Sequence, residues 1–328
     1  MSKRKVFLKA DASSEIGYGH FIRSLALADM LKDEFDCTFF TANPNEFQRK
    51  EVEKVCKLYP MNFLDAIPAF LNLLTGEEIV VLDNYYYTEN YQKEIKQKGC
   101  RLVCIDDIHD KHFYADMVIN HAPCINPAAY SCEPYTQLLL GTDYLLLRRS
   151  FFESINIPSK RTPGEVFICF GGSDEYNITL QSCKVIRQID NRPITIVVGG
   201  GYAFLEELTQ YSAAKNIRIF SNIDALTMIT LMKQAELAII PASCTFFETC
   251  CARIPIITGY TVDNQQLVAA CCQELGLGYN CGNLLEDFDE KLKNAIDEVR
   301  LKGGMYINQQ SILIKDSKST LIKKFKSL

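Results

Sequence analysis

Short runs of β-branched and aromatic residues alternate along this chain with stretches whose apolar positions recur every three or four residues. In the first half, residues 6–10, 37–41, 79–82, 101–105 and 117–119 read as strands, with helices over 19–33, 45–57, 64–74 and 88–98. In the second half the strand runs are 165–170, 194–198, 217–220, 237–240 and 254–257. The helical runs there are 174–189, 202–214, 224–234, 245–252, 263–275 and 286–300. Strands alternating with helices predict parallel α/β architecture. The two series change over in 148–164, a polar stretch holding Pro158, Ser159 and Pro163, which reads as a linker between domains 1–150 and 151–328. A lysine-rich tail, 315–328, carries Leu321, Ile322 and Phe325 after Ile314 in loosely helical spacing. An amphipathic terminal helix packed on a domain is expected there, with a membrane-surface helix as the alternative.

Composition narrows the classes. With 328 residues, 48% apolar and 23% charged, the chain is long enough for two cores and too apolar for disorder. A net charge of −5 argues against a nucleic-acid or membrane-surface partner, while leaving room for a local phosphate pocket. No apolar run reaches the roughly 18–20 residues of a membrane span. The opening Met-Ser-Lys-Arg-Lys leads into only six residues of strand-like sequence, too short for a signal peptide, so a cytoplasmic protein is expected. Fourteen cysteines include no Cys-x-x-Cys pair, which favours reduced, buried thiols over a metal or disulfide framework.

The loop after the first strand, Lys9-Ala-Asp-Ala-Ser-Ser-Glu-Ile-Gly-Tyr-Gly-His-Phe-Ile-Arg23, is the first candidate for chemistry. Gly17 and Gly19 permit a tight turn and close approach of backbone to a ligand. His20 falls in the first turn of the following helix, at the strand edge where ligands bind in open α/β sheets. Asp11, at the strand end, is the expected carboxylate to fix its tautomer. A capping role for His20 is the competing reading. The segment is neither a dinucleotide fingerprint nor a P-loop, since Ile22 stands where the third glycine would and no Gly-Lys-Ser/Thr follows.

In the second half, Gly171-Gly-Ser-Asp174 ends a strand and opens a helix. Diphosphate oxygens could approach the bare backbone of Gly171 and Gly172 there, with the Ser173 hydroxyl as a donor, or the turn could be structural with Asp174 as N-cap. Thr245 and Glu248 follow another strand, either as a phosphate and ribose grip or as a capping box. The polar segment 258–266, with Asn264, could touch a sugar. Asp106, Asp107, His109, Asp110 and His112 could hold a divalent metal, or serve as capping and solvated residues of a charged loop.

Taken together, these segments resemble the UDP-sugar hydrolases of pseudaminic acid biosynthesis (PseG/SpsG type), a glycosyltransferase-B-like family related to MurG. The likeness rests on the first loop, Val81-Leu-Asp-Asn-Tyr85, Cys104-Ile-Asp-Asp-Ile108, the segment 139–148, Gly171-Gly-Ser-Asp174, the Ser243-x-Thr245-x-x-Glu248 turn and Asp263-Asn-Gln265. The resemblance implies an α/β fold of two Rossmann-like domains with parallel sheets facing a central cleft. It implies UDP-2,4-diacetamido-2,4,6-trideoxy-β-L-altropyranose as substrate, with inversion at C1. His20 matches the family's base, and Tyr85 and Asn264 match its sugar-site positions. Ser173, Thr245 and Glu248 match the UDP-holding positions, with Gly17, Gly19, Arg23 and Gly172 beside the substrate. Ala242-Ser-Cys-Thr245 departs from the Gly-Ser-Thr of many members. No cofactor or metal is demanded, because helix-start N–H groups and hydroxyls can hold the diphosphate charge. Rival readings are a UDP-sugar glycosyltransferase, a UDP-sugar 2-epimerase and a non-catalytic nucleotide-sugar binder.

Overall fold

The computed structural model describes residues 3–12, 17–62, 66–158, 160–302, 307–313 and 316–328. Ser13, Ser14, Glu15 and Ile16 of the first loop, Ser159 of the linker, Leu64 and Asp65 of the third expected helix, and Ile314 and Lys315 of the tail lie outside them. The chain divides into two compact units. One comprises Met1–Ala12, His20–Arg148 and Lys315–Leu328; the other comprises Ser13–Gly19 and Arg149–Ile314.

The first unit is built on a seven-stranded parallel sheet. In chain order its strands are β1 (Lys5–Ala10), β2 (Asp36–Ala42), β3 (Lys57–Met61), β4 (Ile79–Asp83), β5 (Arg101–Ile105), β7 (Met117–Asn120) and β9 (Gln137–Leu140). Two short strands, β6 (His112–Phe113) and β8 (Ser131–Cys132), pair separately. The spatial order β3-β2-β1-β4-β5-β7-β9 reverses direction between β1 and β4. That reversal opens a crevice at the carboxyl ends of these two strands, the position where doubly wound sheets bind ligands.

Helices α1 (Gly19–Leu31), α2 (Glu46–Glu53), α3 (Ala66–Leu73) and α4 (Glu89–Gln97) connect the strands. Ten of the thirteen residues of α1 are buried, so it is a central helix. Its Phe21 meets Phe39 edge-on at 5.2 Å, while the next residue along β2, Phe40, meets Phe7 on the opposite face. The terminal helix α12 (Ser317–Lys326) packs on this unit, with Leu321 and Phe325 fully buried and Phe325 against Phe35. Its lysines face outward, Lys318 to Asp33 at 3.0 Å and Lys326 to Glu34 at 2.6 Å. The tail is thus the packed amphipathic helix of the first expectation.

The second unit repeats the scheme with six strands: β10 (Val166–Ile168), β11 (Ile194–Val198), β12 (Ile217–Ser221), β13 (Leu237–Pro241), β14 (Ile256–Tyr260) and β15 (Tyr279–Asn283). Their order, β12-β11-β10-β13-β14-β15, reverses between β10 and β13. Helices α5 (Arg149–Ser154), α6 (Ile178–Ile189), α7 (Leu205–Ser212), α8 (Ala225–Gln234), α9 (Cys244–Cys250), α10 (Gln266–Glu274) and α11 (Phe288–Lys302) complete it. Both units are therefore Rossmann-like.

Three expectations change. The helix expected over 45–57 stops at Glu53, and residues 57–61 form edge strand β3 instead. The expected linker begins as helix α5. The helix after Gly171-Gly-Ser starts at Ile178, four residues later than expected. All fourteen cysteines are unlinked and ten are buried. No helix among the described residues is long and apolar enough to cross a membrane.

Candidate active site

At the first reversal point, α1 turns one face toward the end of β4. His20, Arg23 and Ser24 share that face through their i, i+3, i+4 spacing, and all three reach Asp83, the last residue of β4. His20 Nδ1 lies 2.7 Å from Asp83 Oδ1. Arg23 donates from Nη2 to Oδ1 at 2.7 Å and from Nε to Oδ2 at 2.8 Å. Ser24 Oγ donates to Oδ2 at 2.9 Å. Four donors therefore fill the acceptor sites of a carboxylate that is fully buried. Burial alone would raise the Asp83 carboxyl, but the Arg23 charge, the His20 ring and their hydrogen bonds outweigh it and hold it well below the usual carboxylate range.

An ionised carboxylate only accepts, so the proton shared with Asp83 belongs to His20 Nδ1. In the neutral imidazole that leaves the lone pair on Nε2. Tyr85, two residues beyond Asp83, sets its ring edge-on to the imidazole, 4.5 Å between centroids at 82°. Arg23 also donates from Nη1 to Asp107 Oδ2 at 2.7 Å, beyond the end of β5. Arg23, expected beside the substrate, is buried with its guanidinium committed to Asp83 and Asp107, so its place is behind His20.

Asp11 does not hold His20. Along β1 the side chains alternate, and Lys9 and Asp11 point to the face opposite α1. There Asp11 accepts from Lys9 Nζ at 2.5 Å, from the Ala42 N–H at 2.6 Å and from the Tyr86 hydroxyl. Burial lowers the Lys9 ammonium, against the Asp11 charge and hydrogen bond that support it. Asp11 is a structural anchor between β1, β2 and the turn after β4.

The loop weighed as a metal site is spread over separate tasks. Asp106 accepts the His109 N–H at 2.8 Å, Asp107 holds Arg23, Asp110 faces Lys111, and His112 meets Ser131 and Glu133. Among the described residues these side chains form no common ligand set.

One residue escaped sequence reasoning altogether. His121 follows β7, is buried, and accepts the Leu146 N–H at its Nδ1, 3.3 Å away. Burial, then the nearby Arg23 charge, push its pKa down to about 4, against Asp107 and Asp83. It is neutral at neutral pH. A histidine directly after an apolar strand run was the available signal.

In the first loop, Gly17 has a φ of +79°, a left-handed conformation that favours glycine, and Gly19 is the first residue of α1. At the reversal point of the second unit, Gly171, Gly172 and Ser173 follow β10. Asp174 accepts the N–H groups of Ile178 and Thr179 at 2.9 and 2.8 Å, so the α6 terminus is already occupied by its own chain. Gly199, after β11, packs against Gly172: a Cβ there would lie 2.6 Å from Gly172 Cα. The N-cap of α9 is Ser243, which accepts from the Thr245 N–H, so Thr245 and Glu248 do not form the capping box that their spacing suggested. Thr245 is partly buried and Glu248 buried in the same short helix. Asn264 lies in the single turn Asp263–Gln265 after β14. The second-unit candidates thus leave three neighbouring strands at one sheet edge.

No family model matches the chain. Among curated proteins it is 29% identical over 283 residues to an uncharacterized protein of Methanocaldococcus jannaschii, covering 80% of this chain and 57% of that one. The chain thus spans little more than half the length of that relative. It is 26% identical over 281 residues to the UDP-2,4-diacetamido-2,4,6-trideoxy-β-L-altropyranose hydrolase of Campylobacter jejuni, covering 83% of this chain and 97% of the relative. To the spore coat polysaccharide biosynthesis protein SpsG of Bacillus subtilis the identity is 23% over 83% of this chain and 82% of that protein. The latter two relatives support a PseG/SpsG-type protein. Among solved structures, Acinetobacter baumannii MurG superposes with a TM-score of 0.66 at 14% identity, covering 99% of this chain and all of that one. A spinosyn rhamnosyltransferase complexed with thymidine diphosphate gives 0.67 at 12%, covering 98% of this chain and all of that one. These likenesses show a glycosyltransferase-B fold.

Proposed function

We propose that this chain releases UDP from UDP-2,4-diacetamido-2,4,6-trideoxy-β-L-altropyranose by hydrolysis, in pseudaminic acid biosynthesis. The named hydrolase relative supports the substrate, and the His20–Asp83 pair is the observation that carries the chemistry. Asp83 keeps the Nδ1 proton in place, so Nε2 takes a proton from water as the water oxygen bonds to C1. The anomeric C–O bond breaks with its electron pair going to UDP, and C1 inverts. A positioned base contributes roughly 10²–10⁴-fold. UDP needs no strong acid to leave, but its developing charge needs donors. Backbone N–H groups at Gly172 and Ser173 and the hydroxyls of Ser173 and Thr245 are assigned that task, with Glu248 on the ribose hydroxyls. Tyr85 and Asn264 are assigned to the sugar, and Gly17 and Gly19 allow the first loop to approach it closely.

The test is UDP release from this nucleotide sugar without an added acceptor and with a chelator present, followed by proton NMR of the product. One free sugar per UDP, formed with inverted anomeric configuration, is the expected result. Binding without release, or release only when an acceptor hydroxyl is supplied, refutes the hydrolase.

A further inference from the structure

The ammonium of Lys111 is turned inward. Its Nζ lies 3.3 Å from Asp110 Oδ1 and donates to the Tyr85 carbonyl oxygen at 2.8 Å, and the side chain is only 15% exposed although it belongs to a loop. A loop lysine ordinarily extends into water, so a covered one gives up hydration and rotamer freedom for the bonds it makes.

Tyr85 stands in the turn between β4 and α4, where no strand ladder fixes the chain. Two side chains hold its backbone from opposite ends: Asn84 Oδ1 accepts its N–H at 2.8 Å, and Lys111 donates to its carbonyl. Its ring lies edge-on to that of His20. A bond at Nδ1 alone leaves an imidazole able to tilt about that corner. The Tyr85 ring packed against it limits the tilt, and with it the direction in which Nε2 points.

The loop that carries Lys111, residues 106–111, is itself fixed. Asp106 closes it by accepting the His109 N–H at 2.8 Å, and the His112 N–H donates to Glu89 Oε1 at 3.0 Å where β6 begins. Asp107 of the same loop holds Arg23, and Arg23 holds Asp83. The loop thus reaches His20 by two routes: through Arg23 and Asp83 to Nδ1, and through Tyr85 to the ring.

We propose that Lys111 is a positioning residue of this site, fixing the Tyr85 turn so that the Tyr85 ring sets the tilt of the His20 imidazole. Its effect on turnover rests on the reading of the chain as a nucleotide-sugar hydrolase; the placement of the two rings does not.

Lys111→Met keeps the apolar stem and removes the donor, while Lys111→Arg keeps a donor. Circular dichroism checks the fold of each. The first readout is the NMR signal of the carbon-bound protons of the His20 ring, identified by its absence from His20→Asn. Loss of the Tyr85 ring current in Tyr85→Leu moves that signal. Lys111→Met is expected to move it in the same direction, and Lys111→Arg to leave it near the wild-type position. The second readout is turnover of the diacetamido nucleotide sugar. Lys111→Met is expected to lower kcat about tenfold with UDP affinity unchanged, and Lys111→Arg to restore most of the loss. In a Tyr85→Leu background, Lys111→Met should cost nothing further. A His20 signal unmoved in Lys111→Met, or a double variant slower than Tyr85→Leu, overturns the proposal. Should wild type release no UDP while the His20 signal moves as expected, the hydrolase reading fails and the placement of Tyr85 by Lys111 stands.

Discussion

His20 Nδ1 and Asp83 Oδ1 stand 2.7 Å apart although 63 residues separate them along the chain. Their meeting depends on β1 and β4 being parallel neighbours, with Ala10 opposite Asp83, so that the helix entered from β1 lies over the end of β4. The pair is the basis of the first prediction. Asp83→Asn offers an NH2 where Nδ1 needs an acceptor, which forces the proton onto Nε2 and removes the base. Turnover should fall by roughly 10²–10⁴, about as far as in His20→Asn, with UDP affinity retained in both. The double variant should lose no more than either single one, because the residues act as a unit. Losses that multiply in the double variant would sink the pairing.

Asp11 gives the contrasting case. Removing its charge takes the partner from the fully buried Lys9 and loosens Ala42 and Tyr86. Asp11→Ala should therefore cost about 3–5 kcal/mol of stability. Activity per folded molecule should stay within a few-fold of wild type at a temperature well below melting. Denaturant titration alongside an assay of the folded fraction distinguishes this anchor from a catalytic group.

His121 ties stability to pH. Its folded pKa, about 4, lies below the unfolded value of 6.5. Between these values the unfolded chain holds a proton that the folded one does not. Stability from this group is complete above pH 6.5 and declines as pH falls toward 4, by on the order of 3 kcal/mol. His121→Gln removes the titration and keeps an acceptor for the Leu146 N–H. Its unfolding free energy should be flatter across that window than that of wild type. Parallel pH profiles for the two proteins would show His121 to be irrelevant.

The nucleotide side of the reading is tested at Gly199. A methyl group there meets the backbone of Gly172 at 2.6 Å, and the Gly201 N–H to Gly172 carbonyl bond of 3.0 Å locks the two turns together. Gly199→Ala should cost about 1–3 kcal/mol through overpacking. By shifting the Gly171–Ser173 turn it should also weaken UDP binding about tenfold or more. Unchanged UDP affinity would detach that turn from the nucleotide.

The central strands were legible because burial on both faces writes an unbroken apolar run, as in Ile79-Val-Val-Leu82 and Leu237-Ala-Ile-Ile240. Edge strands were not. Lys57-Leu-Tyr-Pro-Met61 is largely exposed and carries a proline, so its first residue reads as the end of a helix and the rest gives no strand signal. In the site, His20 was legible from its place after a glycine turn. Its partner was not, because sequence proximity favoured Asp11, whereas strand alternation turns Asp11 away and strand order brings Asp83 in.

The first unit closes with α12, which reaches Phe35 and Asp33 only after the chain has passed through residues 149–314 of the second unit. On a ribosome adding about 5–20 residues per second, that detour takes roughly 10–30 s. Throughout it Phe35 lacks the ring of Phe325, and Asp33 and Glu34 lack Lys318 and Lys326. The second unit, made later, has no such debt outside the short loop from the first strand. The first unit is therefore completed only after the second has been synthesised, and a nascent chain stalled before residue 317 should be the form that chaperones hold.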